Sequence, residues 1–395
     1  MDILRRQFLG HVAQTSPSPL MVEIERGEGI YFYSPDEKRY VDLIAGVSVN
    51  NVGHGNQAVT DAVCAQAREY MHVMVYGEII ERPQVRYATR LAGLLPQSLQ
   101  SVYFLNSGTE AVEGALKLAK RFTGRTRILS FENAYHGSTH GAMSVMGGEE
   151  FKNAYRPLLP ATFRMRFNNF DDLELITPQV ACVVSEVVQG ESGINPPLPG
   201  FLQALRRKCD QTGTLLIFDE IQTGMGRTGT MFAFETYGVV PDILVLAKAF
   251  GGGMPLGAFI SSPEIMGTLA YDPPLGHITT FGGHPVCCAA GLAALEYTLE
   301  NNLIENAGAM GELFEKLLGD HPAIKEIRRS GLLMAIELGS PQKMYQAMEL
   351  LIEGGYLSDW FLFCDTAFRI SPPLIIDRAQ VEECCRDIRA ILDRL

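Results

Sequence analysis

The sequence predicts an α/β protein: a large domain around a parallel sheet, joined to a smaller α+β domain assembled from both chain ends. Three observations lead there. Short, mainly apolar runs at 102–105, 128–131, 181–186, 215–219 and 243–247 alternate with longer stretches of helical periodicity, the pattern of right-handed βαβ crossovers. One of these runs ends in Asp219 and another leads directly into Lys248, at the carboxyl edge where open parallel sheets bind ligands. At 395 residues the chain is long enough for two domains and a large core.

In order, residues 1–20 read as a short helical arm closing on Ser16-Pro17-Ser18-Pro19. The stretches 22–24, 30–33 and 39–43 alternate around a turn, as a small antiparallel meander would. A turn-rich loop follows at 51–57, then helical periodicity at 59–71 and 87–95. After a helix around 286–299 the texture shifts. Residues 304–318 and 343–352 read as amphipathic helices, and 332–338, 356–363 and 368–371 as strands, before a final helix. The expected division is 51–290 for the large domain, with 1–50 and 291–395 forming the small one.

Composition narrows the function. Hydrophobic residues at 47% and charged ones at 20% are those of an ordinary globular protein. A net charge of −12 without any Lys/Arg block argues against nucleic acid as a partner. Eight cysteines without CxxC spacing suit free thiols in a reducing compartment. The N-terminal MDILRRQFLGHVAQ lacks the apolar run of a secretory signal, and no stretch reaches the length of a membrane span. The expectation is a cytoplasmic protein without a membrane partner.

The chemistry centres on DILVLAKAFGGGMPLGA, residues 242–258. A lysine at a sheet edge is costly to desolvate and gives up its proton readily, as a Schiff-base lysine must; the plain alternative is a snorkelling side chain. Asp219, in TLLIFDEIQTG, ends a strand at the same edge. Asn106-Ser107-Gly108-Thr109-Glu110 follows another strand and opens a helix, with Ser107 as N-cap. A strand, a glycine and a helix start make a phosphate cradle. Competing nucleotide readings fail: no glycine-lysine pair supplies a P-loop, and GMGRTG at 224–229 has no strand leading into it. The nearest GxSxG breaks at Ile194, and the histidines lack metal-site spacing. The residues together suit pyridoxal phosphate, which needs a lysine for its aldehyde, a carboxylate for its pyridine nitrogen, a phosphate cradle and a flat partner such as Tyr135.

From NVGH at 51–54 to RISPPL at 369–374, the chain resembles the class III aminotransferases, or ω-aminotransferases, of pyridoxal phosphate fold type I. FDEIQTGMGRTG at 218–229, followed by Lys248, is its strongest run. The resemblance implies a mainly parallel seven-stranded sheet, with Lys248 forming the internal aldimine and moving the proton. Asp219 would pair with the pyridinium nitrogen and Gln222 with the ring hydroxyl. Tyr135 would stack on the ring, with His136 and Glu186 beside it, while Ser107, Gly108 and Thr109 hold the phosphate. Thr280 would complete the phosphate site of a neighbouring subunit, implying a homodimer with shared sites. Arg369 would grip a substrate α-carboxylate and Glu191 pair with it. The implied reaction moves an amino group from an ω-amine or amino acid to a 2-oxo acid such as 2-oxoglutarate or pyruvate. A mutase, decarboxylase or lyase of the same family, and a cofactor-bound protein without turnover, are the alternatives. In acetylornithine- and ornithine-type members an arginine follows the His-Gly of the stacking loop. Here Ser138 stands there, which leaves the amino donor open.

Overall fold

The computed structural model describes residues 3–395; the first two residues of the expected N-terminal arm lie outside them, and its helix is Ile3–His11. The centre is a seven-stranded sheet: β1 (Ser101–Leu105), β2 (Arg127–Phe131), β3 (Thr162–Met165), β4 (Val180–Glu186), β5 (Leu215–Asp219), β6 (Ile243–Leu246) and β7 (Gly257–Ser261). They lie in the order β1-β7-β6-β5-β4-β2-β3. β7 runs antiparallel to both its neighbours, and the other strand pairs are parallel.

Every residue of β4, β5 and β6 is buried, so these strands read as unbroken apolar runs and are easily found. β3 and β7 escaped the strand reading for physical reasons. β3 is an edge strand with Phe163 half exposed and Arg164 interrupting its apolar run. β7 is five residues that begin at a glycine.

Helix α1 (Gly108–Thr123) buries Ala111, Val112, Ala115, Leu116, Leu118 and Ala119. Ser107 caps it by accepting a hydrogen bond from the Glu110 N–H at 3.3 Å, and Gly124, at φ 68°, ends it in a left-handed turn.

Two four-stranded sheets flank this body. Arg26–Glu28, Tyr31–Tyr33 and Arg39–Asp42 form the expected meander, with its first strand a few residues later than 22–24. Its fourth strand, Tyr356–Leu357, comes from the other end of the chain and runs parallel to Arg39–Asp42. The second sheet has the order Glu326–Ser330, Leu333–Glu337, Cys364–Ile370, Trp360–Phe361. The single strand expected at 356–363 is therefore two pieces in two sheets. Ser358 and Asp359 break it, and both turn their bonding towards Arg369.

Between Asp42 and Asn51 the backbone is unusual. Ala45, Gly46, Val47 and Ser48 all have φ between 48° and 64°, a left-handed turn that costs strain at each non-glycine residue. Asp42 holds it by accepting hydrogen bonds from the Ile44 and Ala45 N–H groups at 2.9 and 2.8 Å. The turn delivers Val49 to the cavity described below.

Close backbone approach ties the C-terminal part to the loop after β5. A Cβ on Gly311, in helix Leu303–Leu318, would lie 2.0 Å from the Gly331 carbonyl oxygen. A Cβ on Gly331, at φ 57°, would lie 2.3 Å from the Thr228 carbonyl carbon. Both neighbours are backbone and cannot rotate away. Gly311→Ala is expected to cost about 1–3 kcal/mol by overpacking, read as an earlier denaturation midpoint. An unchanged midpoint would mean the helix can slide away from Gly331.

Candidate active site

The carboxyl edge of the sheet opens on a cavity of about 590 Å³. β4 and β5 end in register, so Glu186 and Asp219 sit side by side. Asp219 is tied down: its Oδ2 lies 2.7 Å from His136 Nδ1, and its Oδ1 accepts the Ile221 N–H at 3.0 Å. Glu186 Oε1 accepts the Gly190 N–H at 3.0 Å, while its Oε2 is buried and unpartnered among the described residues. Burial first, and then the charge of Asp219, push Glu186 well above the usual carboxyl range, which favours its protonated form.

Lys248 follows β6 and adopts φ 54° as it enters a short turn, Lys248–Gly251. Its amine makes no hydrogen bond or ion pair among the described residues and faces the cavity. Desolvation draws its pKa below that of an ordinary lysine, against the pull of Glu191, Asp219 and Glu186. An unpaired amine with a lowered pKa suits a nucleophile, and the left-handed backbone at Lys248 is of the kind found at functional sites.

The start of α1 brings Ser107, Gly108 and Thr109 to the same cavity. A Cβ on Gly108 would lie 2.7 Å from Ile221 Cδ1, so a larger residue there would have to displace the Ile221 side chain. Gly137, at φ 122°, packs over Thr109 in the same way. Thr109 Oγ1 lies 2.7 Å from Thr139 Oγ1, which links the helix start to the loop carrying Tyr135 and His136. Tyr135 lines the cavity, its hydroxyl 3.2 Å from Ser138 Oγ. Gln222 lines it too, with Nε2 buried and unpartnered, and any Cβ on Gly190 would collide with its amide oxygen at 2.0 Å.

Glu191 forms part of the wall. Behind it lies Arg369, only 1% exposed, whose Nη2 donates to Glu191 Oε1 and Oε2 at 2.9 and 3.1 Å. Burial pushes Glu191 up, yet attraction by Arg369 and Lys248 outweighs it and leaves Glu191 below its ordinary value. Arg369 Nε donates to a second carboxylate, Asp359, at 2.8 Å, and Nη1 has no partner among the described residues.

Ten of the twelve expected site residues thus line one cavity. Arg369 reaches it through Glu191. Thr280 does not line it: the residue is exposed, and its carbonyl oxygen pairs with His72 Nε2 at 2.7 Å. Sequence reasoning missed Asp359 and Val49. No motif marks either; Asp359 is found only by noticing a carboxylate on the strand turn that folds back on Arg369.

Unpaired polar atoms on Glu186, Gln222 and His136, a free amine, and a helix start narrowed by glycine fit a flat heterocycle with an aldehyde and a phosphate. The family aminotransferase class III matches residues 12–392. An acetylornithine aminotransferase of Methanopyrus kandleri is 38% identical over 387 residues, 97% of each chain. A putrescine aminotransferase of Pectobacterium atrosepticum is 39% identical over 373 residues, covering 90% of this chain and 79% of that one. An amine transaminase from an uncultivated Pseudomonas species, solved with pyridoxal phosphate bound, superposes with a TM-score of 0.89 at 28% identity, covering 97% of this chain and 98% of that one.

The raised Glu186 gives a signed expectation for pH. The unfolded chain releases this proton near about pH 4.3, whereas the folded protein keeps it to higher pH, so this group's contribution to stability falls as pH rises through that interval. Glu186→Gln removes the titration. Chemical denaturation of the cofactor-free protein from about pH 5 to about pH 8 should therefore show the variant gaining on wild type as pH rises. A difference that stays constant with pH would show that Glu186 ionises like an exposed glutamate.

Proposed function

The chain belongs to the class III aminotransferases, with pyridoxal phosphate as cofactor, and we propose that it transfers the amino group of a donor reacting through a terminal amine to a 2-oxo acid. The cofactor, when bound, supplies an electron sink for the substrate carbon and a temporary seat for the amino group. The chain's own residues do the rest. Asp219, steadied by His136, keeps a positive charge on the pyridine nitrogen. Gln222 and Glu186, whose pKa is raised, would hold the ring hydroxyl. Ser107, Gly108 and Thr109 receive the phosphate on the helix start, and Tyr135 covers the ring. Lys248 would hold the cofactor's aldehyde through its amine, and Nζ would accept and hand back the proton of the substrate carbon.

The observation that carries the substrate reading is the closed Glu191–Arg369 pair in a wall without a second arginine, since Ser138 occupies that place. With the pair closed, the arginine's charge is answered from within the protein, which suits a donor with no carboxylate beside its reacting amine. Putrescine, named for one relative, is a donor of that kind. With Glu191 turned away, Arg369 can take the carboxylate of 2-oxoglutarate or pyruvate. Charge-assisted hydrogen bonds of this type contribute roughly 1.5–3 kcal/mol each. Arg369→Ala should therefore lower kcat/KM for 2-oxo acids by about two orders of magnitude and leave simple amine donors far less affected. Equal losses on both substrate types would make Arg369 a structural residue.

The reading extends to a two-fold dimer in which Thr280 serves the partner's phosphate site. Large apolar side chains around that residue, Tyr271, Ile278 and Phe281, and Met71 and Ile80 on the segment that His72 joins to it, are each at least half exposed, as a surface awaiting cover would be. Thr280→Ala should weaken cofactor retention without unfolding the protein. Sedimentation of wild type as a fully active monomer would contradict the shared site.

A further inference from the structure

We propose that Asp359 is the positioning residue for acceptor binding: it fixes the Arg369 guanidinium by Nε, so that Glu191 can leave and a 2-oxo acid's carboxylate can take the edge Glu191 vacates. This rests on the reading of Arg369 above and adds a residue that no motif marks.

The guanidinium is divided among unlike partners. Nε belongs to Asp359 at 2.8 Å, Nη2 to Glu191 at 2.9 and 3.1 Å and to the Trp360 carbonyl oxygen at 3.5 Å, and Nη1 to nothing among the described residues. The ring of Phe361 lies against the guanidinium face, its centroid 4.5 Å from Cζ. A carboxylate binds arginine best across two parallel N–H bonds, and the edge formed by Nη1 and Nη2 offers both once Glu191 turns aside.

The two carboxylates are attached differently, and the attachment decides which one moves. Asp359 sits in the same hairpin as Arg369. Its carbonyl oxygen accepts the Arg369 N–H at 2.8 Å, and Ser358 Oγ donates to the Arg369 carbonyl oxygen at 2.6 Å. Asp359 and Arg369 therefore shift as one piece. Glu191 comes from the loop after β4. Its backbone oxygen is held by the Phe363 N–H at 2.9 Å, while its side chain has, apart from Arg369 and among the described residues, one long bond, from the Leu362 N–H at 3.3 Å. Rotating the Glu191 side chain breaks its bonds to Arg369 and Leu362 and moves no backbone.

Without Asp359, a guanidinium released by Glu191 would keep its face against Phe361 and one long bond from Nη2 to the Trp360 carbonyl oxygen, but no bond at Nε, and its aim would loosen. Arginine side chains carry considerable rotamer entropy, so the loss falls on the substrate that needs the fixed edge. A simple amine donor, which meets the closed pair, does not need it.

The test uses the holoenzyme and three readouts: the dissociation constant of glutarate, an unreactive dicarboxylate, by calorimetry; KM and kcat with 2-oxoglutarate and pyruvate; and the amine half-reaction followed by visible absorbance. Asp359→Ala should weaken glutarate and raise KM for both oxo acids by about tenfold or more, with kcat and the amine half-reaction within about threefold of wild type. Asp359→Asn should recover most of that affinity, because its amide oxygen can accept the same Nε–H bond. Unchanged oxo-acid affinity in Asp359→Ala, an equal loss in the amine half-reaction, or an asparagine variant as poor as the alanine would each overturn the assignment. If Arg369→Ala separates the two substrate types and Asp359→Ala does not, only the role of Asp359 falls. If Arg369→Ala fails to separate them, both readings fall together.

Discussion

Two carboxyl groups side by side at the end of a buried parallel sheet set the terms for the rest of the site. The register of β4 and β5 puts Glu186 next to Asp219, and two ionised carboxylates cannot sit there cheaply. The protein divides their roles. Asp219 is held in a fixed geometry by His136 and a backbone N–H. Glu186 accepts the Gly190 N–H, has its pKa pushed upward, and leaves Oε2 without a partner among the described residues. One pair of neighbouring strand ends thus presents two carboxyl groups in unlike settings to the same cavity.

The same accounting governs the cations. Lys248 is desolvated and unpaired, while Arg369 is enclosed and has a carboxylate at Nε and another at Nη2. Repulsion between the two cations helps lower Lys248, and Glu191, which faces both, moderates it. The Glu191 side chain therefore affects the lysine's readiness as well as the arginine's.

A third cation holds the architecture. Arg227 is fully buried, and burial draws it down to about 9. Its partners are the Leu332 and Pro372 carbonyl oxygens at 3.1 and 2.6 Å and Asn51 Oδ1 at 2.6 Å. Three distant stretches of chain meet on this side chain. Its neighbours Gly226 and Gly229, at φ 90° and 88°, make the turns that aim it inward. The run GMGRTG, which matches a dinucleotide fingerprint by letters, is here a structural knot, with glycines serving left-handed turns rather than a phosphate.

The sequence by itself determined the parts whose cause is local. Buried strands read as apolar runs because both their faces are covered, and Lys248, Asp219 and the Ser107 cap were legible because each stands at the end of such a run. Tertiary structure alone decided whatever depends on which strands become neighbours. No local pattern states that β7 inserts antiparallel between β1 and β6, or that residues 356–361 split between two sheets, because strand pairing is chosen by surfaces far apart in the chain. The adjacency of Glu186 and Asp219 follows from register, and burial together with that adjacency raises the Glu186 pKa. The grip of Asp359 on Arg369 follows from a hairpin that folds one residue onto the other. A side chain's charge state is set by what surrounds it after folding, so the sequence could identify the groups but not their ionisation or their partners.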